Sequence, residues 1–154
     1  HFDAHADLRE HYLGETLSHA SVMRRIVDRI GPERLVQVGI RTMNSHQQQQ
    51  ASRFGVEIIQ MKHWRDDHVF TFEGPVYLSL DMDAIDPAFA PGVSHHEPGG
   101  FTTRQVLHLL QRLKANMIGA DLVEFNPERD PSGITAMLAG KLYKEMLDLL
   151  LRTA

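Results

Sequence analysis

The chain has 154 residues, of which 42% are hydrophobic and 23% charged, the composition of an ordinary globular domain. Its formal net charge of −4 gives no basic surface of the kind that binds nucleic acid. The absence of cysteine excludes disulfide bonds and thiolate chemistry. No apolar run approaches the roughly 18 residues of a membrane-spanning helix, and no signal peptide is visible, so we expect a cytoplasmic protein without a membrane partner.

Strand-type and helix-type patterns alternate along the chain and predict an α/β fold. Apolar runs rich in β-branched residues predict strands at 34–40, 56–61, 76–80 and 117–123. Amphipathic patterns predict helices at 18–30, 44–54, from 102 or 103 to 113, and 132–151. We expect the first helix to bury a stripe of Val22, Ile26 and Ile30. Strands separated by helices indicate a mostly parallel sheet covered on both faces, in a single domain over residues 1–154.

Metal-ligand side chains recur at every second residue in two short motifs. The first, H-F-D-A-H-A-D, contains Asp3, His5 and Asp7, and the second, S-L-D-M-D-A-I-D-P, contains Asp81 and Asp83. Residues two apart on a strand point to the same face, so each motif can direct its side chains at one point. In parallel α/β folds ligands bind beyond the carboxyl ends of the strands, where both motifs lie.

These five side chains predict a hydrolase site for two cations of the Mn²⁺ type. Four carboxylates and one imidazole form a hard set of oxygen and nitrogen ligands. So many acidic groups in one place would be very costly to bury without cations to neutralise them. The alternative is a set of ordinary loop carboxylates that cap turns and helices. His1 shares the face of Asp3, but we expect it to lie too far back along the strand to bind an ion itself.

A long segment rich in proline and glycine, residues 86–101, follows the second motif. A loop of this length in a compact domain is more often functional than not. Within it Asp86 precedes Pro87, and we expect Asp86 to shape a turn rather than bind metal. The pair His95-His96 is not expected to form a metal site, because adjacent loop residues seldom face one point.

The sequence resembles the ureohydrolase family, which includes arginases and agmatinases, at several motifs over nearly its whole length. The motifs are D-A-H-A-D at 3–7, S-H-A-S at 18–21, G-I-R at 39–41, S-L-D-M-D-A-I-D-P at 79–87, P-G-V-S-H-H-E-P-G-G at 91–100 and V-E-F-N-P at 123–127. Ordered motifs at consistent spacing are a specific signal, unlike one short pattern alone.

The resemblance implies a three-layer α/β/α sandwich with a mostly parallel sheet. It also implies a binuclear manganese centre that hydrolyses a guanidinium group to urea and an amine. By position in the motifs, Asp3 and Asp81 would bridge the two ions. Asp7 would bind the first ion, and His5 with Asp83 the second.

Two further residues receive roles from the resemblance. His19 matches the active-site histidine, which we expect to deliver a proton to the departing nitrogen. Glu124 matches the glutamate that holds the substrate, and a carboxylate can accept two parallel N–H bonds from a guanidinium. The partners implied are a small guanidino substrate and further copies of the chain.

One family motif is absent from the sequence. Complete ureohydrolases carry another metal-binding histidine in a G-G-D-H-type motif upstream of D-A-H-A-D, so this chain contains five of the six expected ligands. The chain also opens at His1 without a methionine. We therefore expect the C-terminal portion of a longer protein, truncated at its N-terminus, and impaired activity in this portion alone.

The residues favour agmatine as the substrate, with arginine as the alternative. Animal-type arginases place an asparagine two positions after the first motif, where this chain has Arg9. Plant-type arginases resemble the S-H-A-S and E-P-G-G stretches, so arginine stays open. Guanidinobutyrase and formiminoglutamase activities are weaker alternatives.

Two hypotheses from other classes also stay open. The chain could be a non-catalytic fragment that keeps the fold and weak metal binding. It could instead be a relative of the deacetylase-like metal enzymes, although their usual single-metal site lacks the D-x-D-x-x-D-P pattern found here.

Overall fold

A computed structural model of the chain describes residues 1–153. These residues form four strands, β1 (Val36–Ile40), β2 (Glu57–Gln60), β3 (Pro75–Asp81) and β4 (Asn116–Val123). They also form four α-helices, α1 (Val22–Ile30), α2 (Ser45–Phe54), α3 (Thr103–Arg112) and α4 (Ile134–Thr153). The predicted alternation of strands and helices is confirmed. The start of α1 differs most from its prediction, because a 3₁₀ turn, His19–Ser21, precedes the α-helix.

Residues 1–3 lie between β1 and β3 and join two strand pairs into one parallel sheet. β1 pairs with β2, and β3 pairs with β4, in each case in parallel. Phe2 forms parallel bridges to Val38 of β1 on one side and to Leu80 of β3 on the other. The order across the sheet is therefore β2, β1, residues 1–3, β3 and β4.

This order places a topological switch point between residues 1–3 and β3. The chain moves outward from residues 1–3 through β1 to β2, and then crosses to the opposite side to form β3 and β4. The backbone N–H of Asp81 donates to the carbonyl of Phe2 at 2.8 Å, so Asp3 and Asp81 leave the sheet side by side. Open parallel sheets bind their ligands at such a point.

Two hydrophobic cores lie on the two faces of the sheet and give the fold its three layers. Val38 belongs to the core that packs against α3 and α4, whereas Leu35 and Ile40 belong to the core that packs against α1 and α2. Alternate strand residues face opposite sides of a sheet. The irregularity in β1 at Gly39, whose φ is +94°, accounts for the change of side between Val38 and Ile40.

The buried side of α1 differs from its prediction. Val22 and Ile30 are exposed, and the buried residues of the helix are Met23 and Val27. Ile26 alone of the predicted stripe packs, in part, against the core. Two apolar stripes run side by side on this short helix, and the stripe nearer the sheet could not be chosen from spacing alone. The predicted inward residues of α4, Leu138, Leu142, Met146 and Leu149, are buried.

None of the helices within residues 1–153 is long and apolar enough to cross a membrane.

Leu142 gives a direct test of the packing of α4. Its side chain is fully buried in the larger core. We expect Leu142→Ala to lower the free energy of unfolding by about 2–5 kcal/mol, because truncation leaves a cavity. Lys144→Ala, on the exposed side of the same helix, is the matched control and should change stability by about 0.5 kcal/mol or less. Urea denaturation measures both, and equal losses would contradict this packing.

Candidate metal centre

The two acidic motifs form the same kind of turn at the ends of neighbouring strands. Asp3 Oδ1 accepts a hydrogen bond from the backbone N–H of His5 at 2.6 Å. Asp81 Oδ1 accepts one from the backbone N–H of Asp83 at 2.8 Å. An aspartate that bonds the N–H two residues ahead closes a tight local turn. Each turn therefore carries its second ligand-type residue over the carboxyl edge of the sheet.

Asp3, His5 and Asp83 meet at one point. His5 Nδ1 lies 3.3 Å from Asp3 Oδ1 and 3.0 Å from Asp83 Oδ2. One ligand-type atom from each of the three residues lies within 4.8 Å of the other two. The backbone N–H of Ala4 donates to Asp83 Oδ1 at 3.1 Å and ties the two turns together. The predicted convergence of the two motifs is confirmed for these three side chains.

Burial makes this cluster unfavourable for so many negative charges. Asp3 and Asp83 are only 2% and 3% exposed. Burial and the charge of Asp3 raise the pKa of Asp7 to about 7, and burial with the charges of Asp3 and Asp83 raises the pKa of Asp81 to about 10. Both carboxyl groups thus resist ionisation next to neighbouring carboxylates.

His5 supplies positive charge to the same cluster. Burial alone lowers its pKa, but hydrogen bonds to Asp3 and Asp83 outweigh burial and raise the pKa to about 11. Hydrogen bonds from His1 and His5 likewise overcome burial and lower the pKa of Asp3. A divalent cation would displace the proton of His5 and neutralise these carboxylates, and their oxygens with the freed imidazole nitrogen form the donor set that Mn²⁺-type ions bind. The residues present therefore fit a metal centre.

A row of rings extends outward from the cluster. His95 lies 5.7 Å from His5, and its ring stacks on His19 at 6.3 Å, measured between ring centroids. The ring of Tyr12 packs edge-on against that of His19, with 5.1 Å between their centroids. His19 and His95 are exposed. The predicted position of His19 is thus connected to the cluster through His95, to which the sequence analysis gave no role.

Glu124 stands at the same edge of the sheet in an unusual conformation. It follows Val123, the β4 residue that pairs with Asp81. Its φ of +63° is in the left-handed region, which non-glycine residues rarely adopt and which clusters at functional sites. Its carboxylate is exposed and makes no hydrogen bond or ion pair with the other residues of 1–153. It is therefore available to a cationic ligand, although no contact joins it to the cluster.

Arg41 holds the long loop against the second acidic turn. Its Nε and Nη2 donate to the carbonyl of Glu97 at 2.8 and 2.6 Å. Nη2 also donates to the carbonyl of Asp83 at 2.6 Å, and Nη1 to those of Ala84 and Gly39 at 3.2 and 3.3 Å. The G-I-R motif contains this residue, but four of its five hydrogen bonds go to residues 42 to 56 positions away and leave no local pattern to read.

Asp86 closes the loop on itself. Its Oδ2 accepts from the backbone N–H groups of Gly99 and Gly100 at 2.7 and 3.1 Å, and Oδ1 accepts from Ala88 at 2.9 Å. A Cβ on Gly100 would lie 2.6 Å from Arg41 Nη2, so only glycine fits there. The prediction that Asp86 shapes a turn is confirmed. Together Asp86 and Arg41 fix the base of the loop that presents His95.

Comparison with protein families and known sequences gives consistent results. A family model described as the arginase family matches residues 1–148. Arginase 1, mitochondrial, of Arabidopsis thaliana is 47% identical over an alignment of 154 positions, which covers 95% of this chain and 45% of that protein. Agmatinase of Bacillus anthracis is 39% identical over an alignment of 153 positions, which covers 96% of this chain and 53% of that protein. The chain thus spans about half the length of the curated relatives it matches.

Solved structures give the same result. Arginase from Medicago truncatula has a TM-score of 0.87 and 43% identity, with 99% of this chain and 50% of that chain covered. The agmatine ureohydrolase of Thermoplasma volcanium has a TM-score of 0.87 and 36% identity, with 97% and 53% covered. The α/β architecture described above is therefore shared with both.

Arg41→Lys tests the role of the guanidinium. Lysine keeps the charge but cannot donate to four carbonyls in a fixed fork. We expect the free energy of unfolding to fall by about 1–3 kcal/mol and hydrogen exchange at Gly99 and Gly100 to accelerate. Arg34→Lys, at an exposed position, is the control and should leave both quantities unchanged. Unchanged exchange in Arg41→Lys would contradict the role given to Arg41.

The pH dependence of the melting temperature of Asp86→Asn tests whether the ionised Asp86 carboxylate stabilises the loop. Burial raises the pKa of Asp86, but the three backbone hydrogen bonds outweigh it, and the net pKa is lowered. The ionised group therefore stabilises the fold at neutral pH, and this contribution is lost as pH falls below about 4. The melting temperature of Asp86→Asn should lie below that of the parent at pH 7, and the gap should narrow toward pH 3. A gap that stays constant would contradict this role.

Proposed function

Because the chain belongs to the arginase family, we propose that it forms part of a binuclear manganese hydrolase that cleaves a guanidinium group to urea and an amine. The observation that carries the proposal is the buried cluster of Asp3, His5 and Asp83 at the switch point of a parallel sheet, with Asp81 beside it. Hydrolysis of a carbon–nitrogen bond by relatives named arginase and agmatinase supports the same reaction class.

The proposed ligands follow the two motifs. Asp3 and Asp81 would bridge the two ions, Asp7 would bind the first, and His5 with Asp83 would bind the second. The shared turn geometry of Asp3 and Asp81 and the raised pKa of Asp7 and of Asp81, both caused first by burial, support this assignment. When bound, two such ions lower the pKa of a water molecule and stabilise charge that develops on the reacting group.

His19 and Glu124 would act on the substrate. Glu124 has a free, exposed carboxylate that can accept two parallel N–H bonds from a guanidinium and so orient it. His19 is exposed, and contacts with Tyr12 and His95 hold its ring. From that position it would deliver the proton that the departing nitrogen requires. The left-handed conformation of Glu124 supports a functional role for this position.

Agmatine is the substrate that the sequence favours, and arginine is the second candidate. Two observations favour arginine. The plant arginases are 44–47% identical to the chain, whereas the two agmatinases are 37% and 39% identical. In addition, the Arg9 guanidinium lies 5.3 Å from the centre of the Tyr12 ring, next to His19. A cation there attracts the carboxylate of arginine and repels the free ammonium of agmatine.

Separate measurements of kcat/KM for the two substrates decide between agmatine and arginine. Urea release is measured for the full-length protein with Mn²⁺, first with agmatine and then with arginine. A higher kcat/KM for agmatine supports the substrate that the sequence favours, and a higher value for arginine supports the second candidate. Arg9→Met should lower kcat/KM for arginine more than for agmatine. No urea from either substrate would overturn both substrate assignments.

The partners we propose are a small guanidino molecule and further copies of the chain. The proposal includes no nucleic acid and no membrane. We retain the cytoplasm as the proposed compartment, although the Arabidopsis relative is named as mitochondrial. A non-catalytic, metal-binding role is the outcome if Mn²⁺ binds to the full-length protein but no guanidino compound is hydrolysed.

Asp81→Asn tests the metal centre. It removes charge from a proposed bridge while keeping the size of the side chain, so we expect Mn²⁺ affinity to fall by more than the roughly 10–100-fold typical of residues that only orient a ligand. In the parent, a hundredfold excess of Mn²⁺ over its Kd should stabilise the fold by about 2.7 kcal/mol. Calorimetry and melting measure these quantities.

Asp148→Asn is the matched control for this change. Asp148 is exposed on α4, where it pairs with Arg152, far along the chain from both acidic motifs. The substitution alters the net charge by the same amount and should leave Mn²⁺ affinity unchanged. Equal losses in the two variants would show that general charge, rather than the cluster, governs binding.

A further inference from the structure

Asp3 uses its two carboxylate oxygens on different partners. Oδ1 faces His5, whereas Oδ2 lies 3.1 Å from Nε2 of His1. The side chain of His1 is almost fully buried, at 4% exposure, against 22% for that of His5. His1 therefore contacts a proposed metal ligand from within the protein rather than from the solvent side.

Gln37 fixes which nitrogen of His1 carries the hydrogen. Nε2 of Gln37 lies 2.8 Å from the carbonyl of Ala6, which can only accept, and this contact sets the orientation of the amide. The same NH₂ group lies 3.0 Å from Nδ1 of His1. An amide NH₂ can only donate, so Nδ1 must accept. The hydrogen is then on Nε2, directed at Asp3.

This arrangement leaves the amide oxygen of Gln37, Oε1, without a hydrogen bond among residues 1–153. Gln37, the second residue of β1, is fully buried. An apolar residue would avoid the cost of an unsatisfied buried acceptor. Leu35, two residues earlier and on the same face, is buried in the apolar core against α1 and α2, so a polar side chain at position 37 needs a reason beyond packing. The hydrogen bonds that the Gln37 NH₂ group donates to His1 Nδ1 and to the carbonyl of Ala6 provide that reason.

We propose that Gln37 and His1 form a positioning pair that orients the carboxylate of Asp3. The inference rests on the proposed function in one respect, namely that Asp3 is a metal ligand. Gln37 selects the tautomer of His1, and the N–H of His1 then holds Oδ2 and restricts rotation of the carboxylate. Partners of this kind raise metal affinity because the ligand loses less freedom when the ion binds. Neither residue needs to touch the ion or the substrate.

Three variants of the full-length protein separate this role from packing. Gln37→Met keeps the length of the side chain and removes both donors. His1→Phe keeps a ring and removes the N–H that faces Asp3. His1→Gln restores a donor at a similar distance from the backbone and is the conservative rescue. We expect Mn²⁺ affinity, measured by calorimetry, to fall about 10–100-fold in the first two and by less than about threefold in the third.

Nuclear magnetic resonance reads the tautomer directly, without metal or substrate. Long-range ¹H–¹⁵N correlation of histidine-labelled, metal-free protein distinguishes a hydrogen on Nε2 from one on Nδ1. The parent should show His1 with its hydrogen on Nε2, and Gln37→Met should show a mixture of both forms. A purely structural role for Gln37 predicts no change in this signature. Melting of the metal-free variants reports any loss of stability separately.

The outcomes distinguish this proposal from the proposed function. If the parent does not bind Mn²⁺, the proposed metal centre fails and the positioning role fails with it, whatever the tautomer. If the parent binds Mn²⁺ but all three folded variants bind equally well, the positioning pair alone is overturned. A hydrogen on Nδ1 in the parent also overturns it. If Gln37→Met does not fold, the contrast between His1→Phe and His1→Gln decides the question.

Discussion

The hydrogen bonding of residues 1–3 to strands on both sides is the constraint on which the rest of the molecule depends. Phe2 connects β1 to β3, and without it the sheet would divide into two separate pairs of strands. The same bonds bring the end of this segment beside the end of β3, so that two turns of the same type face each other across the switch point. The backbone pairing that completes the sheet therefore also assembles the site.

The site concentrates charge in a place where the fold tolerates it poorly. Four carboxyl groups lie in or beside the cluster, and burial opposes the ionisation of Asp7 and Asp81, raising the pKa of each. His5 supplies some compensation from within the cluster, and Arg41 holds the surrounding carbonyls in place. Such an arrangement is unfavourable for stability by itself, because buried like charges repel. It is favourable for binding a divalent cation, which would neutralise the carboxylates.

Sequence patterns predicted the helices and strands, and also that each acidic motif directs its side chains at one point. Both predictions depend on local spacing, namely alternate residues on a strand, apolar faces on a helix and turn residues at loop ends. They did not identify the buried stripe of α1, where two apolar stripes compete. Nor did they find Arg41, His95 or the contact of Gln37 with His1. These contacts join residues 36 to 90 positions apart in the chain. Only the fold brings such residues together, so spacing along the sequence carries no trace of them.

The central place of residues 1–3 in the sheet has a consequence for the order in which the protein assembles. This segment is synthesised before both of its partner strands, and its partner in β3, Leu80, follows nearly 80 residues later. At a ribosomal rate of about 5–20 residues per second, Phe2 waits roughly 4–16 s for that partner. Parallel pairing between distant segments is intrinsically slow because the intervening chain must first be closed into a loop. The residues that the first motif contributes to the proposed metal centre are thus made well before the strand that brings them their neighbours across the switch point.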